Sequence, residues 1–170
     1  MVEPTRRDML FIATSAAGVV AGAGAAWPLI SQMSPDASTL ALATVEVDLA
    51  PIAAGQTVTV KWQGKAVFIA HRTAKTIAAV NSPETRAAEL KPVPDKDRVQ
   101  KPEWLVLVGV CTHLGCIPSL NPGEGGGWTC ACHGSKYDAS GRVVHGPAPD
   151  NLAVPAYRFV TDSKIVIGQA

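Results

Sequence analysis

The first part of the chain carries one long apolar stretch, from Met9 to Pro35, that contains no charged residue. Its core, Met9–Ile30, shows no polar face, and as an α-helix it would extend roughly 33 Å, enough to cross a bilayer. Gly18 and Gly22 form a small-residue seam along which another membrane helix could approach closely. The pattern predicts a single transmembrane helix, with a cleavable export signal as the alternative.

The rest of the chain alternates apolar and polar positions over short segments, which is the pattern of β-strands. Five such segments are indicated: 44–49, 56–62, 66–70, 157–160 and 164–167. Turn residues between the second and third segments, and between the last two, predict two hairpins. The run from Trp104 to Val110 is apolar throughout, which favours a strand buried on both faces. We therefore expect an all-β domain behind the helix.

One short helix is expected at 82–90, where Ser82 is a suitable N-cap and Pro83 fits the first helical position. Glu84 would interact favourably with the positive end of the helix dipole. The segment that follows, 91–101, is charged and interrupted by prolines. We expect this segment to form a surface loop.

The composition agrees with a small folded protein that includes a membrane segment. Of its 170 residues, 47% are hydrophobic and 17% are charged, whereas soluble domains typically contain roughly 25% charged residues. The 15 Lys and Arg residues nearly balance the 14 Asp and Glu residues, and the net charge is +1. These values exclude a disordered chain and a nucleic-acid-binding surface built on a basic patch.

The residues before the apolar stretch, Thr5-Arg6-Arg7-Asp8-Met9-Leu10, resemble a twin-arginine export signal. The match is partial, since that pattern usually has Phe at the position of Met9. The two arginines also favour the cytoplasmic side of a membrane for the N-terminus. We expect residues 1–31 to form a signal and anchor, residues 32–43 a hinge linker, and residues 44–170 the exported domain.

The cysteines and two of the histidines fall in two boxes, Cys111-Thr112-His113-Leu114-Gly115-Cys116 and Cys130-Ala131-Cys132-His133-Gly134-Ser135. A structural zinc site would take two cysteines and two histidines and would leave two cysteines idle. A pair of plain disulfides would leave both histidines without a role. A Rieske-type 2Fe–2S cluster, with two cysteines on one iron and two histidines on the other, leaves two cysteines for a disulfide. We favour this third hypothesis.

The chain resembles the Rieske iron–sulfur subunit of bacterial ubiquinol–cytochrome c reductase (cytochrome bc1) complexes. The resemblance is strongest from Lys101-Pro102-Glu103-Trp104, through both boxes, to Asn151-Leu152-Ala153-Val154-Pro155. It implies an antiparallel β-sandwich with an inserted cluster-binding subdomain at about 110–150. It further implies that a Rieske-type 2Fe–2S cluster is bound by Cys111, His113, Cys130 and His133, and that Cys116 and Cys132 form a disulfide.

The same resemblance implies roles for residues around the boxes. The hydroxyl groups of Ser135 and Tyr137 would donate hydrogen bonds to sulfur atoms of the cluster and raise its reduction potential. His133 and His113, together with Leu114, would face the quinol. A stiff proline loop would shield the cluster from water, and it consists of Gly146, Pro147, Ala148 and Pro149.

The implied function is electron transfer from ubiquinol to a c-type cytochrome, with a proton taken up on a ligand histidine, as a contribution to proton translocation. The partners would be quinol, a cytochrome b subunit, a c-type cytochrome subunit and a membrane, in a dimeric multisubunit complex without nucleic acid. The chain would cross the bacterial inner membrane once, with a cytoplasmic N-terminus and a periplasmic Rieske domain. Alternatives are the Rieske subunit of a plastoquinol-oxidising complex or of arsenite oxidase, and an exported Cys₂His₂ zinc domain.

Overall fold

The computed structural model describes residues 5–34, 43–121 and 126–168. The chain forms two compact units, Met1–Ala41 and Leu42–Ala170. Most of the predicted hinge, residues 35–42, lies outside the described residues.

In the first unit, the described residues form one long helix, α1, which covers Arg6–Ser31. Its start is a capping box: Asp8 N–H donates to the Thr5 hydroxyl at 3.3 Å, and Thr5 N–H donates to the Asp8 carboxylate at 2.9 Å. None of the helix side chains is buried within this chain. The helix is long and apolar enough to cross a membrane, so the predicted N-terminal apolar helix is confirmed.

The described part of the second unit is built on three antiparallel sheets. Its strands are β1 (Val45–Asp48), β2 (Thr57–Trp62), β3 (Lys65–His71), β4 (Trp104–Val108), β5 (Ser119–Leu120), β6 (Trp128–Thr129), β7 (Lys136–Tyr137), β8 (Val143–His145), β9 (Tyr157–Thr161) and β10 (Lys164–Ile167). The first sheet has the order β1-β10-β9, the second β2-β3-β4 and the third β5-β6-β7-β8. The third sheet lies inside the segment expected to form the cluster-binding subdomain.

The second sheet supplies side chains to two hydrophobic cores. Val67 lies in one core with Ile165 of the first sheet, and its neighbour Phe68 lies in the other core with Trp128 of the third sheet. The rings of Phe68 and Trp128 stack with centroids 5.7 Å apart. Residues 104–107 are buried throughout, which confirms a strand buried on both faces, although it ends at Val108 and not at Val110 as predicted. Each such buried apolar side chain contributes about 1.5–3 kcal/mol to stability.

Both predicted hairpins are confirmed by the strand pairing. β2 pairs with β3 from Thr57↔Ala70 to Trp62↔Lys65, and β9 pairs with β10. The β2–β3 turn places Gln63 at φ +48° and Gly64 at φ +76°. Two successive residues with positive φ form the kind of tight turn whose twist matches the flanking strands.

Two short helices lie between β3 and β4: α2 (Ala74–Val80) and α3 (Pro83–Ala87). The start of α3 is as predicted, since Thr85 N–H donates to the Ser82 hydroxyl at 3.3 Å. The helix ends at Ala87, three residues earlier than predicted. The sequence pattern does not predict α2, because seven residues are too few to show a helical period.

The prediction that segment 91–101 is only a surface loop is wrong. It contains a short 3₁₀ helix at Asp95–Asp97, and both Asp95 and Arg98 are buried. The Asp95 carboxylate pairs with Arg72 at 2.7 Å, and Arg98 Nε donates to the Ser140 carbonyl at 2.7 Å. The cost of burying these charges is offset because each one is paired or hydrogen-bonded to a distant part of the chain.

Candidate metal centre

Two loops with the same backbone hydrogen bonds carry the four cysteines and the two histidines of the sequence boxes. We call residues 111–116, between β4 and β5, loop 1, and residues 130–135, between β6 and β7, loop 2. In loop 1, Cys111 N–H donates to the Cys116 carbonyl at 2.7 Å, and Gly115 N–H donates to the Cys111 carbonyl at 2.9 Å. The corresponding bonds in loop 2 measure 2.8 and 2.9 Å. Each loop therefore closes into a small ring that projects the side chains between its ends.

The fifth residue of each loop is a glycine with positive φ. Gly115 has φ +82° and Gly134 has φ +79°. Side chains of L-residues are strained in this left-handed region, whereas glycine adopts it without a steric penalty. Glycine at these positions lets each loop turn back to its first cysteine.

A disulfide between Cys116 and Cys132 joins the two loops, with their Cα atoms 6.7 Å apart. The sulfur atoms of Cys116, Cys130 and Cys132 lie within 4.8 Å of one another. Because two of these three sulfurs are bonded to each other, only Cys130 keeps a free thiol in this group. The disulfide thus ties the loops together and leaves one cysteine in each loop available as a ligand.

The remaining donors form two chemically distinct pairs. Cys111 and Cys130 are free thiols and are almost completely buried. His113 and His133 lie nearer the surface, with their Nδ1 atoms 3.2 Å apart and their rings perpendicular, with centroids 4.7 Å apart. Two inner thiols and two outer imidazoles whose nitrogens face each other fit the Cys₂His₂ donor set of a Rieske cluster.

Tyr137 and Ser135 brace the two thiol-bearing loops. The Tyr137 hydroxyl donates to Cys111 Sγ at 3.3 Å and accepts from Thr112 N–H at 3.3 Å. The fully buried Ser135 hydroxyl accepts from Ala148 N–H at 3.2 Å. The Ser135 oxygen is the acceptor in this bond, and a hydrogen bond from its hydroxyl to Cys111 helps to lower the pKa of that thiol.

These contacts shift the pKa values of the groups around the thiols. Burial raises the pKa of Cys111, but hydrogen bonds, first from Tyr137 and then from the His113 backbone, outweigh it and hold that pKa below the usual value. Burial and the neighbouring Cys111 thiol raise the pKa of Cys130. Burial, followed by the hydrogen bond to Cys111, raises the pKa of Tyr137 to about 12. The phenol is therefore a protonated hydrogen-bond donor at neutral pH.

The predicted proline loop, 146–149, packs against loop 2. Ala148 is buried and supplies the N–H that reaches Ser135. Gly146 has φ +96°, and a Cβ atom added there would lie 2.5 Å from Ser135 Cα. Pro147 and Pro149 are exposed, so the loop covers loop 2 with its backbone and Ala148, while its prolines face outward.

Apolar side chains are exposed around the histidines. Leu114, predicted to face the quinol, is 70% exposed, and Ile117, directly after loop 1, is 62% exposed. Sequence reasoning did not include Ile117, although an isolated large apolar residue beside a box of ligand-type residues is a usable signal. The two side chains give the surface near the histidines an apolar character.

Thr112 is a second residue that sequence reasoning missed. Its hydroxyl donates to the Asp150 carbonyl at 2.7 Å, and its N–H donates to Tyr137. No sequence signal identifies it, because threonine is common in loops and its partners lie 25 and 38 residues away. Thr112 thus links loop 1 to both β7 and the segment after the proline loop.

The two histidines outside the boxes have ordinary structural positions. His71 ends β3, where its Nδ1 lies 2.7 Å from the Ile52 carbonyl and its ring stacks on Trp104. His145 is exposed at the end of β8.

Comparisons with known proteins agree with this site. Residues 86–158 match the family model "Rieske [2Fe-2S] domain", and residues 1–36 match the model "Ubiquitinol-cytochrome C reductase Fe-S subunit TAT signal". The first match contains both loops, and the second contains α1 with its capping box. A Rieske-type 2Fe–2S cluster is therefore the cofactor of this domain.

The similarity to known subunits covers nearly the whole chain. The ubiquinol-cytochrome c reductase iron-sulfur subunit of Bradyrhizobium diazoefficiens is 55% identical, over 97% of this chain and 95% of the relative. The mitochondrial Rieske subunit of the cytochrome b-c1 complex of Schizosaccharomyces pombe is 52% identical, over 92% and 68%. A solved chain described as "Hyperthermophilic respiratory Complex III" is 30% identical, with a TM-score of 0.56, over 91% and 97%. This chain therefore belongs to the family of Rieske iron–sulfur subunits of ubiquinol–cytochrome c reductase.

Proposed function

We propose that this protein is the electron-transfer subunit of a quinol–cytochrome c oxidoreductase, with Cys111 and Cys130 on one iron and His113 and His133 on the other. The observation that carries the proposal is the disulfide-linked pair of loops, with two buried thiols and two outer imidazoles. When bound, the cluster supplies a high-potential one-electron acceptor, which takes an electron from quinol and passes it to a c-type haem.

The two histidines have a second task at the surface. An imidazole that gives one ring nitrogen to a metal keeps the other nitrogen for a proton or a hydrogen bond. His133 is exposed and His113 is half-buried, so His133 is the better placed to accept the hydrogen bond and proton of a quinol hydroxyl. The exposed side chain of Leu114 beside them provides an apolar surface to dock at a quinol pocket.

Tyr137 and Ser135 stabilise added negative charge at the sulfur atoms. The Tyr137 hydroxyl already donates to Cys111 Sγ, and a hydrogen bond from the Ser135 hydroxyl also lowers the pKa of Cys111. Hydrogen bonds to sulfur favour the reduced form and raise the reduction potential. The proline loop keeps water away from loop 2, where Gly146 packs against Ser135 without a gap.

The helix α1 anchors the protein in a membrane, and its sequence and start match an export signal. We infer that Arg6 and Arg7 hold the N-terminus on the cytoplasmic side of a bacterial inner membrane, so that the Rieske domain is periplasmic. A hinge at 32–43 would let this domain move between a cytochrome b subunit, where quinol is oxidised, and a c-type cytochrome subunit. Both would belong to one dimeric multisubunit complex.

The test uses the full chain purified from membranes with its associated subunits. We expect coloured protein whose reduced form gives an electron paramagnetic resonance signal with an average g below 2, together with b- and c-type haems. Cys111→Ser or His133→Ala should remove the signal, whereas His145→Ala, an exposed histidine on the same domain, should retain it. Colourless protein that contains one zinc would refute the proposal in favour of a structural zinc site. A Rieske signal without b-type haem would assign the chain to another complex.

A further inference from the structure

Among the described residues of the Rieske domain, six charged side chains outside the two loops are buried. They are Arg72, Glu89, Asp95, Arg98, Asp138 and Arg142, all at most 8% exposed. Three are cationic and three are anionic, so the network is neutral when all are ionised. Buried charges of this kind are costly unless every one is paired.

Arg142 connects more segments than any other member described here. It is fully buried, and its Nε and Nη2 atoms lie 2.7 and 2.6 Å from Asp138 Oδ2. Its Nη1 lies 2.7 Å from Glu89 Oε1. The same guanidinium donates to the carbonyls of Val80, at the end of α2, and Val93. Arg142 therefore fastens the segment that contains α2 and α3 to the turn between β7 and β8.

Asp138 connects Arg142 to Tyr137, the residue that precedes it in the chain. Its Oδ1 accepts from Ser140 N–H at 2.9 Å and from Arg142 N–H at 2.8 Å, so its carboxylate closes the turn. Tyr137 is the adjacent residue, and its hydroxyl donates to Cys111 Sγ at 3.3 Å. The position of that hydroxyl thus depends on a strand whose end is held by the Asp138–Arg142 pair.

The same turn is held from a second side. The Ser140 hydroxyl donates to Asp95, which pairs with Arg72, and Arg98 Nε donates to the Ser140 carbonyl at 2.7 Å. Asp95 and Arg98 therefore hold the turn directly, and Arg72, which follows β3, holds it through Asp95. Glu89 belongs to the network through its charge, since its carboxylate lies 2.7 Å from Arg142 but neither oxygen has a hydrogen-bond partner among the described residues. The other members are hydrogen-bonded, and the loss of one member of such a network is felt by its neighbours.

We propose that Arg142 is a positioning residue for electron transfer: through Asp138 it sets where the Tyr137 hydroxyl meets Cys111 Sγ, and hence the reduction potential of the cluster. This inference rests on the proposed function, because it takes Cys111 as a cluster ligand. It gives the segment with α2 and α3 a role in tuning the centre, although none of its residues belongs to the two loops.

The test is a double-mutant cycle on reduction potential, made with Tyr137→Phe and Arg142→Lys in the full membrane-bound complex. Arg142→Lys keeps the charge but cannot bind Asp138 and Glu89 with a planar fork. We expect Tyr137→Phe alone to lower the equilibrium constant for reduction about tenfold, which is 59 mV for a one-electron couple. In the Arg142→Lys background the same change should have less than about a threefold effect, since the hydrogen bond is already weakened.

Two further variants complete the design. Glu89→Gln preserves the Asp138 pair but removes one anchoring charge, and it should reduce the Tyr137→Phe effect in the same direction by a smaller amount. Lys164→Met, which breaks an exposed pair with Glu46, should leave the effect unchanged. Fully additive potentials, or loss of the cluster from both network variants, would overturn the inference and leave the network a purely structural role. Absence of a Rieske signal in the unmodified complex would instead refute the proposed function.

Discussion

Loop 1 and loop 2 have the same backbone hydrogen bonds but present different side chains. The third residue is His113 in loop 1 and Cys132 in loop 2, so the histidine of loop 2, His133, occupies the fourth position. The sixth residue is Cys116 in loop 1 and Ser135 in loop 2. One backbone frame thus gives one thiol and one imidazole from each loop, and its remaining positions supply a disulfide and a hydrogen-bond donor.

The loops also differ in what supports them. Loop 1 is held by the Tyr137 hydroxyl and by Thr112, which bonds to Asp150. Loop 2 is held by the proline loop, through Gly146 and Ala148. The shared backbone hydrogen bonds determine how each loop turns, and these separate supports determine the position of each loop. Substitutions in the supports should therefore affect one loop more than the other.

The largest effect is expected from Gly146→Ala, which attacks the support of loop 2. The new Cβ would lie 2.5 Å from Ser135 Cα and 2.9 Å from Ser135 N, at a residue with φ +96°. Backbone strain and overpacking together should cost about 2–5 kcal/mol. We expect a large fall in the thermal midpoint and loss of most of the cluster, measured by calorimetry and by iron content.

Gly64→Ala is the matched control for this prediction. Gly64 has φ +76° but its added Cβ would meet nothing within 4 Å, so only backbone strain of about 1–2 kcal/mol applies. It should retain a full complement of iron. Equal losses in the two variants would show that contact with loop 2 contributes nothing.

The second prediction breaks the link between the loops. The double change Cys116→Ser and Cys132→Ser removes a bond between residues 16 apart in sequence, for which the loss of loop-closure constraint is about 3 kcal/mol. We expect a lower thermal midpoint and faster loss of iron, followed by visible absorbance. Treating the unmodified protein with a thiol reductant should reproduce the change. A midpoint that stays the same after reduction would contradict a stabilising role for this bond.

The third prediction isolates the support of loop 1. Tyr137→Phe removes the hydroxyl that donates to Cys111 Sγ, a bond to a charged sulfur of the kind that contributes about 1.5–3 kcal/mol. The reduction potential should fall by an amount equivalent to at least about tenfold in the equilibrium constant. A redox titration followed by electron paramagnetic resonance measures the reduction potential. An unchanged potential would show that the Tyr137 hydroxyl does not tune the cluster.

The reduction potentials of the unmodified protein and the Tyr137→Phe variant differ by an amount whose pH dependence follows from the pKa of Tyr137. Burial, then the bond to Cys111, raises that pKa from 10.0 to about 12. Because the pKa is raised on folding, the contribution of the protonated phenol is complete below pH 10 and is lost as the pH rises through 12. The potential difference between unmodified and Tyr137→Phe protein should therefore be constant from about pH 6 to pH 9.

These supports also show where sequence reasoning stops. Residues 104–107 are predicted correctly, because a continuous apolar run has few alternatives to a strand buried on both faces. The two boxes are equally informative, since their ligand-type residues are concentrated within short segments. Asp95 and Arg98 are predicted wrongly as surface residues, because their partners, Arg72 and Ser140, lie 23 to 45 positions away. Burial of a charge depends on such distant pairing, which local pattern does not contain.

The smallest effect should come from changing the common frame equally in both loops. Gly115→Ala and Gly134→Ala place a methyl group at φ +82° and +79°, and neither Cβ would meet an atom within 4 Å. Each should cost about 1–2 kcal/mol from backbone strain alone, so the two thermal midpoints should fall by the same amount. Asn at either position should cost less, because it tolerates the left-handed conformation better than Ala. A much larger fall in the thermal midpoint for Gly134→Ala than for Gly115→Ala would show that the two loop backbones are not equivalent. The tighter support of loop 2 by the proline loop would then have to limit how far its backbone can adjust.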